Sequence, residues 1–269
     1  MRTLLHSLWI WIAICTLIVL WYPLLLAISL FDRDPIRYRT GRWFRRLGVA
    51  MTKVNPTWHL DIGGFAVDNP RNPYVVVSNH LSIADIPLIS HLPWEMKWVG
   101  KEELFRLPFA GWMMRLARDL PLDRGDARSG ARMFLRALKV LERKCSVMIF
   151  PEGTRSPDGR LGRFNEGAFL LAIRAQVPVL PLAIEGSHDC IPKRSWLFGE
   201  VSRIRLEVLA PVPTEGLTSQ DARQLCQSVR KQIASKLADW RCLPLAAVDA
   251  TIEDGKDRIV QKAGGELAP

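Results

Sequence analysis

The apolar positions divide the chain into an apolar end, a mixed basic stretch, and a body in which two periodicities alternate. From Thr3 to Phe31 there is no Asp, Glu, Lys or Arg, and from Leu8 onward nearly every position is apolar. A helix needs about 20 such residues to cross the hydrocarbon core, so this stretch is long enough. It is also longer than the apolar core of a cleaved secretion signal, about 7 to 15 residues. Pro23 removes a helix hydrogen bond and leaves two readings open, one span or a broken, re-entrant anchor. Next, Trp43, Phe44, Leu47, Ala50 and Met51 recur at helical spacing among charges, which predicts an amphipathic helix at an interface.

From about residue 55 the period switches. Short β-rich runs predict strands over 74–78, 96–99, 146–150, 177–184 and 204–209. Between and after them, helix-length segments fall at 82–90, 109–117, 127–143, 166–175 and 219–238. This alternation predicts an α/β fold: a central, largely parallel sheet flanked by helices, preceded by an N-terminal membrane-anchoring helical segment. The expected organisation is an apolar anchor over 1–31, a basic amphipathic interfacial segment over 32–54, a domain of catalytic size over 55–245 and a flexible tail over 246–269.

Charge sharpens this picture. The 269 residues carry 37 Lys and Arg against 27 Asp and Glu, a formal net charge of +10, which points to an anionic partner. Between residues 32 and 53 stand seven basic residues and two acidic ones. Basic residues beside an apolar segment mark the cytoplasmic side and favour anionic headgroups, so the expected location is a membrane, the inner one in a bacterium, with the body facing the cytoplasm. Charge fused to a membrane segment, with no nucleic-acid motif, argues against a nucleic-acid partner. Five scattered cysteines without C-x-x-C spacing predict neither a disulfide framework nor a zinc site, and no other ligand spacing predicts a metal.

Two constellations at predicted strand ends carry chemistry. In Asn79-His80-Leu81-Ser82-Ile83-Ala84-Asp85 a bend between His80 and Asp85 would lay the carboxylate on the imidazole, a two-part general base. The same spacing alone also suits a capped helix start. In Phe150-Pro151-Glu152-Gly153-Thr154-Arg155-Ser156 a glycine turn, a hydroxyl and a guanidinium suit a phosphate, or simply a tight turn with a surface ion pair. Ser82 lacks the G-x-S-x-G elbow of a nucleophile, and Cys145 reads as a buried small residue.

These blocks together resemble the glycerolipid acyltransferase family, the PlsC-like 1-acylglycerol-3-phosphate acyltransferases. Asn79-His80 with Asp85 matches its N-H-x-x-x-x-D block, and residues 150–156 match its F-P-E-G-T-R-S block in full. Leu120-Pro121-Leu122-Asp123-Arg124 is similar to the segment ending in a substrate-binding arginine, and Val177-Pro178-Val179-Leu180-Pro181 to the fourth, proline-containing block. Lys101-Glu102-Glu103-Leu104 is similar to a K-x-E-L stretch. One departure stands out: Phe164-Asn165-Glu166-Gly167-Ala168 lacks the lysine many members carry there.

The resemblance implies an enzyme that moves an acyl chain from a thioester to 1-acylglycerol 3-phosphate, forming phosphatidate. His80 is then the base, held by Asp85. Lys101, Arg124, Glu152, Gly153, Thr154 and Arg155 form the acceptor site, and Pro178 shapes the acyl-donor site. No cofactor is implied; the co-substrate is acyl-CoA or acyl carrier protein, the latter a possible protein partner. The altered Asn165-Glu166 keeps a second acceptor open, such as a lyso-ornithine lipid. A non-catalytic lipid-binding protein on the same scaffold is the alternative of another class.

Overall fold

The computed structural model describes residues 2–192, 195–199 and 202–251. Its strands are β1 (Trp58–Gly64), β2 (Val75–Ser78), β3 (Met96–Lys101), β4 (Leu120–Leu122), β5 (Ser146–Ile149), β6 (Val179–Glu185) and β7 (Ser202–Val208). They form one sheet in the order β1-β7-β6-β2-β5-β3-β4, parallel at every pairing except β6 with β7. Central β2 is buried along its whole length, and Val75 pairs with Val147 on one side and Val179 on the other. A strand covered on both faces needs apolar residues at every position, which is why Tyr74-Val75-Val76-Val77 reads as a continuous run.

Helices cover both faces. α1 (Arg2–Phe31), α2 (Tyr38–Val54), α3 (Asp85–Ile89) and α4 (Ala110–Leu116) lie on one side; α5 (Ala127–Glu142), α6 (Gly167–Ala175), α7 (Ala222–Arg241) and α8 (Leu245–Val248) lie on the other. Side-chain alternation in β2 serves both layers. Val75 and Val77 pack with Phe169 and Val229, whereas Val76 packs with Leu88, Met148 and Leu180. Because β2, β5, β3 and β4 all run the same way, the loops after them emerge on one rim.

β1 and β4 were not predicted. β1 alternates Trp58, Leu60 and Ile62 with polar residues, but its second half, Asp61 to Gly64, is exposed at the sheet edge and ends in two glycines. β4 has three residues with Pro121 at its centre, which an edge strand tolerates because one side needs no N–H donor. α3 begins at Asp85, later than expected, because the N–H groups of Leu81 and Ser82 donate to Asp85 Oδ2 (2.8 and 3.0 Å) and hold that stretch as a loop.

α1 passes through Pro23 as one helix, about 45 Å long at 1.5 Å per residue. One face of it adheres to the body along its length. Ile10 is buried in the cluster around Phe198, and Leu25 in one with Leu47 and Met113. Trp11 Nε1 donates to the Trp196 carbonyl at 2.7 Å, Ser7 Oγ accepts from the Phe198 N–H at 2.9 Å, and Trp21 Nε1 donates to the Trp43 carbonyl at 3.0 Å. The opposite face exposes Leu5, Trp9, Ile12, Leu20, Leu30 and Phe31.

α2 uses some of its basic residues internally. Arg45 is buried, bonded to both oxygens of Asp119 at 2.5 and 2.7 Å, and 3.7 Å from Glu95, which in turn accepts from Lys97 at 2.9 Å. Arg42 donates to the carbonyls of Leu92 and Trp94. Arg33, Arg39, Arg46 and Lys53 remain exposed for an anionic surface. The start of the expected flexible tail is docked instead: Val248 is fully buried, the Leu161 N–H donates to its carbonyl, and Asp249 pairs with Arg230. Residues 252–269 lie outside the described residues.

Candidate active site

His80 sits in the loop after β2, and Asp85 opens α3. His80 Nδ1 and Asp85 Oδ2 are 2.7 Å apart. The same oxygen accepts the backbone N–H groups of Leu81 and Ser82, so the carboxylate is fixed before it meets the imidazole. With Nδ1–H donating to Asp85, Nε2 presents a lone pair, the tautomer a general base requires. Phe150, at the end of β5, stacks on the imidazole with centroids 3.9 Å apart and planes 15° apart, setting the ring's orientation.

The two blocks, 72 residues apart, are clamped at the backbone of His80. Its N–H donates to Glu152 Oε1 at 2.8 Å, and its carbonyl accepts from the Ser156 N–H at 2.8 Å. Glu152 Oε2 accepts from the Gly162 N–H at 2.9 Å. Burial pushes the Glu152 carboxyl up to about 7, against the pull of those two N–H groups. Glu152, expected at the acceptor site, has a backbone donor on each oxygen and braces the loop carrying the base.

Gly153 has φ +74°, a left-handed conformation that favours glycine, and closes the turn by donating to the Phe150 carbonyl. Thr154 is exposed beside it and Arg155 half-buried. Asn165, at the position of the missing lysine, donates from both its backbone N–H and Nδ2 to the Pro151 carbonyl at 2.9 Å. It supports the loop from behind. Neighbouring strands place Arg155 after β5, Lys101 at the end of β3 and Arg124 after β4, all on the rim of His80. At about 4.8 Å per strand spacing, Lys101 stands roughly 10 Å and Arg124 roughly 15 Å along that rim from β2. Lys101 pairs with Glu103 at 3.1 Å, both more than half exposed, and Arg124 is exposed.

Pro178 is not brought to the site. It precedes β6 at the opposite end of the sheet, where its carbonyl accepts the Val75 N–H at 3.1 Å, four residues of strand away from His80. A proline suits a strand start, where its fixed φ costs nothing and no N–H is needed. Two other candidates are used structurally. Ser82 Oγ donates to the Ile191 carbonyl, and burial pushes the Cys145 thiol up to about 12, far from a reactive thiolate. Sequence reasoning passed over Phe150 as a ring support, Ser156 and Gly162 as clamp donors, and Asn165 as a brace. Their signal was position within or beside the blocks.

The comparisons with known proteins agree with this geometry. A family model described as Acyltransferase matches residues 65–185, which include His80, Asp85 and the whole 150–156 loop. A lyso-ornithine lipid O-acyltransferase of Pseudomonas aeruginosa is 32% identical over 216 residues, covering 74% of this chain and 80% of that protein. The chain belongs to the acyltransferase family. A chloroplastic 1-acyl-sn-glycerol-3-phosphate acyltransferase of Arabidopsis thaliana, also similar to this acyltransferase chain, is 33% identical over 205 residues, 76% of this chain. The chain spans 56% of that relative's length. The crystal structure of the 1-acyl-sn-glycerophosphate acyltransferase PlsC from Thermotoga maritima superposes with a TM-score of 0.72 at 27% identity, covering 88% of this chain and 97% of that one. The α/β fold with a largely parallel sheet, read from the alternating pattern, is thus the observed one.

Proposed function

We propose that this acyltransferase moves an acyl chain from a thioester to the free hydroxyl of 1-acylglycerol 3-phosphate, forming phosphatidate. The observation that carries the reading is the His80–Asp85 pair, oriented by Phe150 and clamped through Glu152 and Ser156 to a loop bearing Thr154 and Arg155. His80 Nε2 takes the hydroxyl proton as the oxygen attacks the thioester carbonyl. The tetrahedral intermediate collapses, the C–S bond breaks, and the imidazolium returns the proton to the departing thiolate. Asp85 stabilises the imidazolium between these steps. Arg155 takes the acceptor phosphate, with Gly153 and Thr154 shaping the loop, while Lys101 and Arg124 extend the cationic rim.

The acceptor is a membrane lipid, and α1 fits that requirement. One face of α1 is held on the body along its length, so it cannot stand across a bilayer without taking the charged body with it. The reading is that α1 lies along the cytoplasmic interface with its exposed leucines and tryptophans in the apolar layer and Arg33, Arg39 and Arg46 at the headgroups.

A second acceptor is favoured by one observation. Asn165 replaces a cationic side chain beside the loop and binds the Pro151 carbonyl, a change compatible with a headgroup that brings its own cation, as a lyso-ornithine lipid does. Purified protein in anionic vesicles, offered an acyl thioester with lysophosphatidate and lyso-ornithine lipid in parallel, decides between them. Phosphatidate as the main product supports the first reading. Turnover confined to the ornithine acceptor replaces it.

A further inference from the structure

A groove of about 740 Å³ runs along the open edge of β4, and none of the rim residues assigned above lines it. One wall is α5, which presents Arg132, Arg136, Lys139 and Arg143. These recur at helical spacing and so form a stripe about 16 Å long on one face. The facing wall carries Arg106, Arg115 and Arg118, and the floor includes Phe105 and Met133. Seven basic side chains face two acidic ones, and the acidic pair is already engaged: Glu102 with Arg106, and Asp119 with buried Arg45. Among the described residues, Arg115, Arg136, Lys139 and Arg143 have no carboxylate partner. An unneutralised concentration of like charge on a stable helix destabilises the free protein slightly and is suited to an anionic partner.

What kind of partner follows from the placement. α5 and α1 lie on opposite faces of the sheet, so the α5 stripe is turned away from the apolar face of α1. The facing wall, with Pro35 and Ile36, lies on the α1 side and borders the bilayer that receives α1, so the α5 stripe is the wall left to a soluble partner. The stripe is also long and evenly spaced, which fits an acidic helix laid along the groove better than the few clustered phosphates of one nucleotide. The groove reaches the active rim: β4, whose edge it follows, is three strand spacings, roughly 15 Å, from β2 and the base.

We propose that this groove docks an acidic carrier protein that delivers the acyl chain on a phosphopantetheine thioester, with the arm extending along the rim past Arg124 and Lys101 to His80. The inference rests on the acyl-transfer reading above, and names the donor partner of that same site. Carrier-protein docking then depends on the stripe, whereas acyl-CoA reaches the thioester position without it.

The test compares wild type with Arg132→Glu/Arg136→Glu in vesicles, using palmitoyl-loaded acyl carrier protein and palmitoyl-CoA with the same acceptor. The expected result is a rise of about tenfold or more in KM for the carrier-protein donor, loss of its salt dependence, and acyl-CoA turnover within about twofold of wild type, which also shows that the variant folds. Unchanged carrier-protein kinetics overturn the proposal, and so does an equal loss with both donors. Loss of vesicle binding with unchanged carrier-protein kinetics assigns the groove to lipid and also overturns it. Should wild type transfer from no donor, the acyl-transfer reading fails, and fluorescence anisotropy of labelled holo carrier protein decides docking alone: weaker binding by the variant upholds it, and no binding by wild type overturns it.

Discussion

Asp85 Oδ2 accepts three hydrogen bonds, from His80 Nδ1 and from the Leu81 and Ser82 N–H groups, so one atom couples the base to the fold of its own loop. Asp85→Asn removes the charge that stabilises the imidazolium and puts the tautomer at risk; steady-state assays are expected to show a loss of about 10²- to 10⁴-fold in kcat with KM little changed. Glu152 gives a second residue-level expectation. Its carboxyl titrates at about 7 in the folded protein against an ordinary 4.5, so the folded state holds a proton that the unfolded chain has released. The associated stability is full below about pH 4.5 and is lost as pH rises through 7, at most about 3 kcal/mol. Thermal melts of wild type and Glu152→Gln between pH 4.5 and 7.5 check this: the wild-type midpoint should fall relative to the variant's, and parallel curves would remove the assignment. His80 and Asp85 were legible because a base and its carboxylate are close in sequence. The role of Glu152 was not, since its partners are backbone N–H groups that no motif records. Pro178 was misplaced because a match to a block says nothing about which end of a strand it occupies.

Elements brace the site from a distance. Arg230 on α7 donates from Nε to the Gly162 carbonyl at 2.9 Å and pairs with Asp249 beyond α8, and Gly162 in turn donates to Glu152. Arg230→Ala should therefore lower kcat several-fold with little change in KM for the acceptor, while Arg230→Lys recovers part of it; equal loss in both variants with no kcat–KM split would mark a purely structural role. On the other face, buried Arg45 ties α2 to Asp119 and Glu95. Arg45→Ala leaves two buried carboxylates short of a cation, and denaturant titration is expected to show a loss of about 3 to 5 kcal/mol. Gly41 belongs to the same junction: a Cβ there would stand 1.9 Å from Glu95 Oε1, so Gly41→Ala should also destabilise. The periodic signals for α2, α5, α6 and α7 were readable, because each buries one stripe. β1 and β4 were not, being edge strands that lack a continuous apolar run. The inward turn of Arg42 and Arg45 was hidden as well, because composition does not distinguish a basic residue that faces lipid from one that faces a buried carboxylate.

At the scale of the whole molecule, an apolar helix, a basic junction and a polar catalytic rim are built into one body. The apolar length of α1 was plain from the sequence, but length alone does not separate a span from a helix lying flat; its hydrogen bonds to Trp196, Phe198 and Trp43 are what support the flat reading proposed above. Spin labels at Leu5→Cys, Leu20→Cys and Leu30→Cys, all on the exposed face and in a background lacking Cys15 and Cys242, should report similar immersion depths in vesicles. A deep middle between two shallow ends would instead mean that α1 crosses the bilayer. The chemistry this arrangement supports is tested most directly by acyl transfer from a thioester to a lysolipid by wild type and His80→Ala in the same vesicles. The variant is expected to lose about 10²- to 10⁴-fold in kcat while still binding the membrane. Wild-type turnover retained by His80→Ala would contradict the role of His80 as the base.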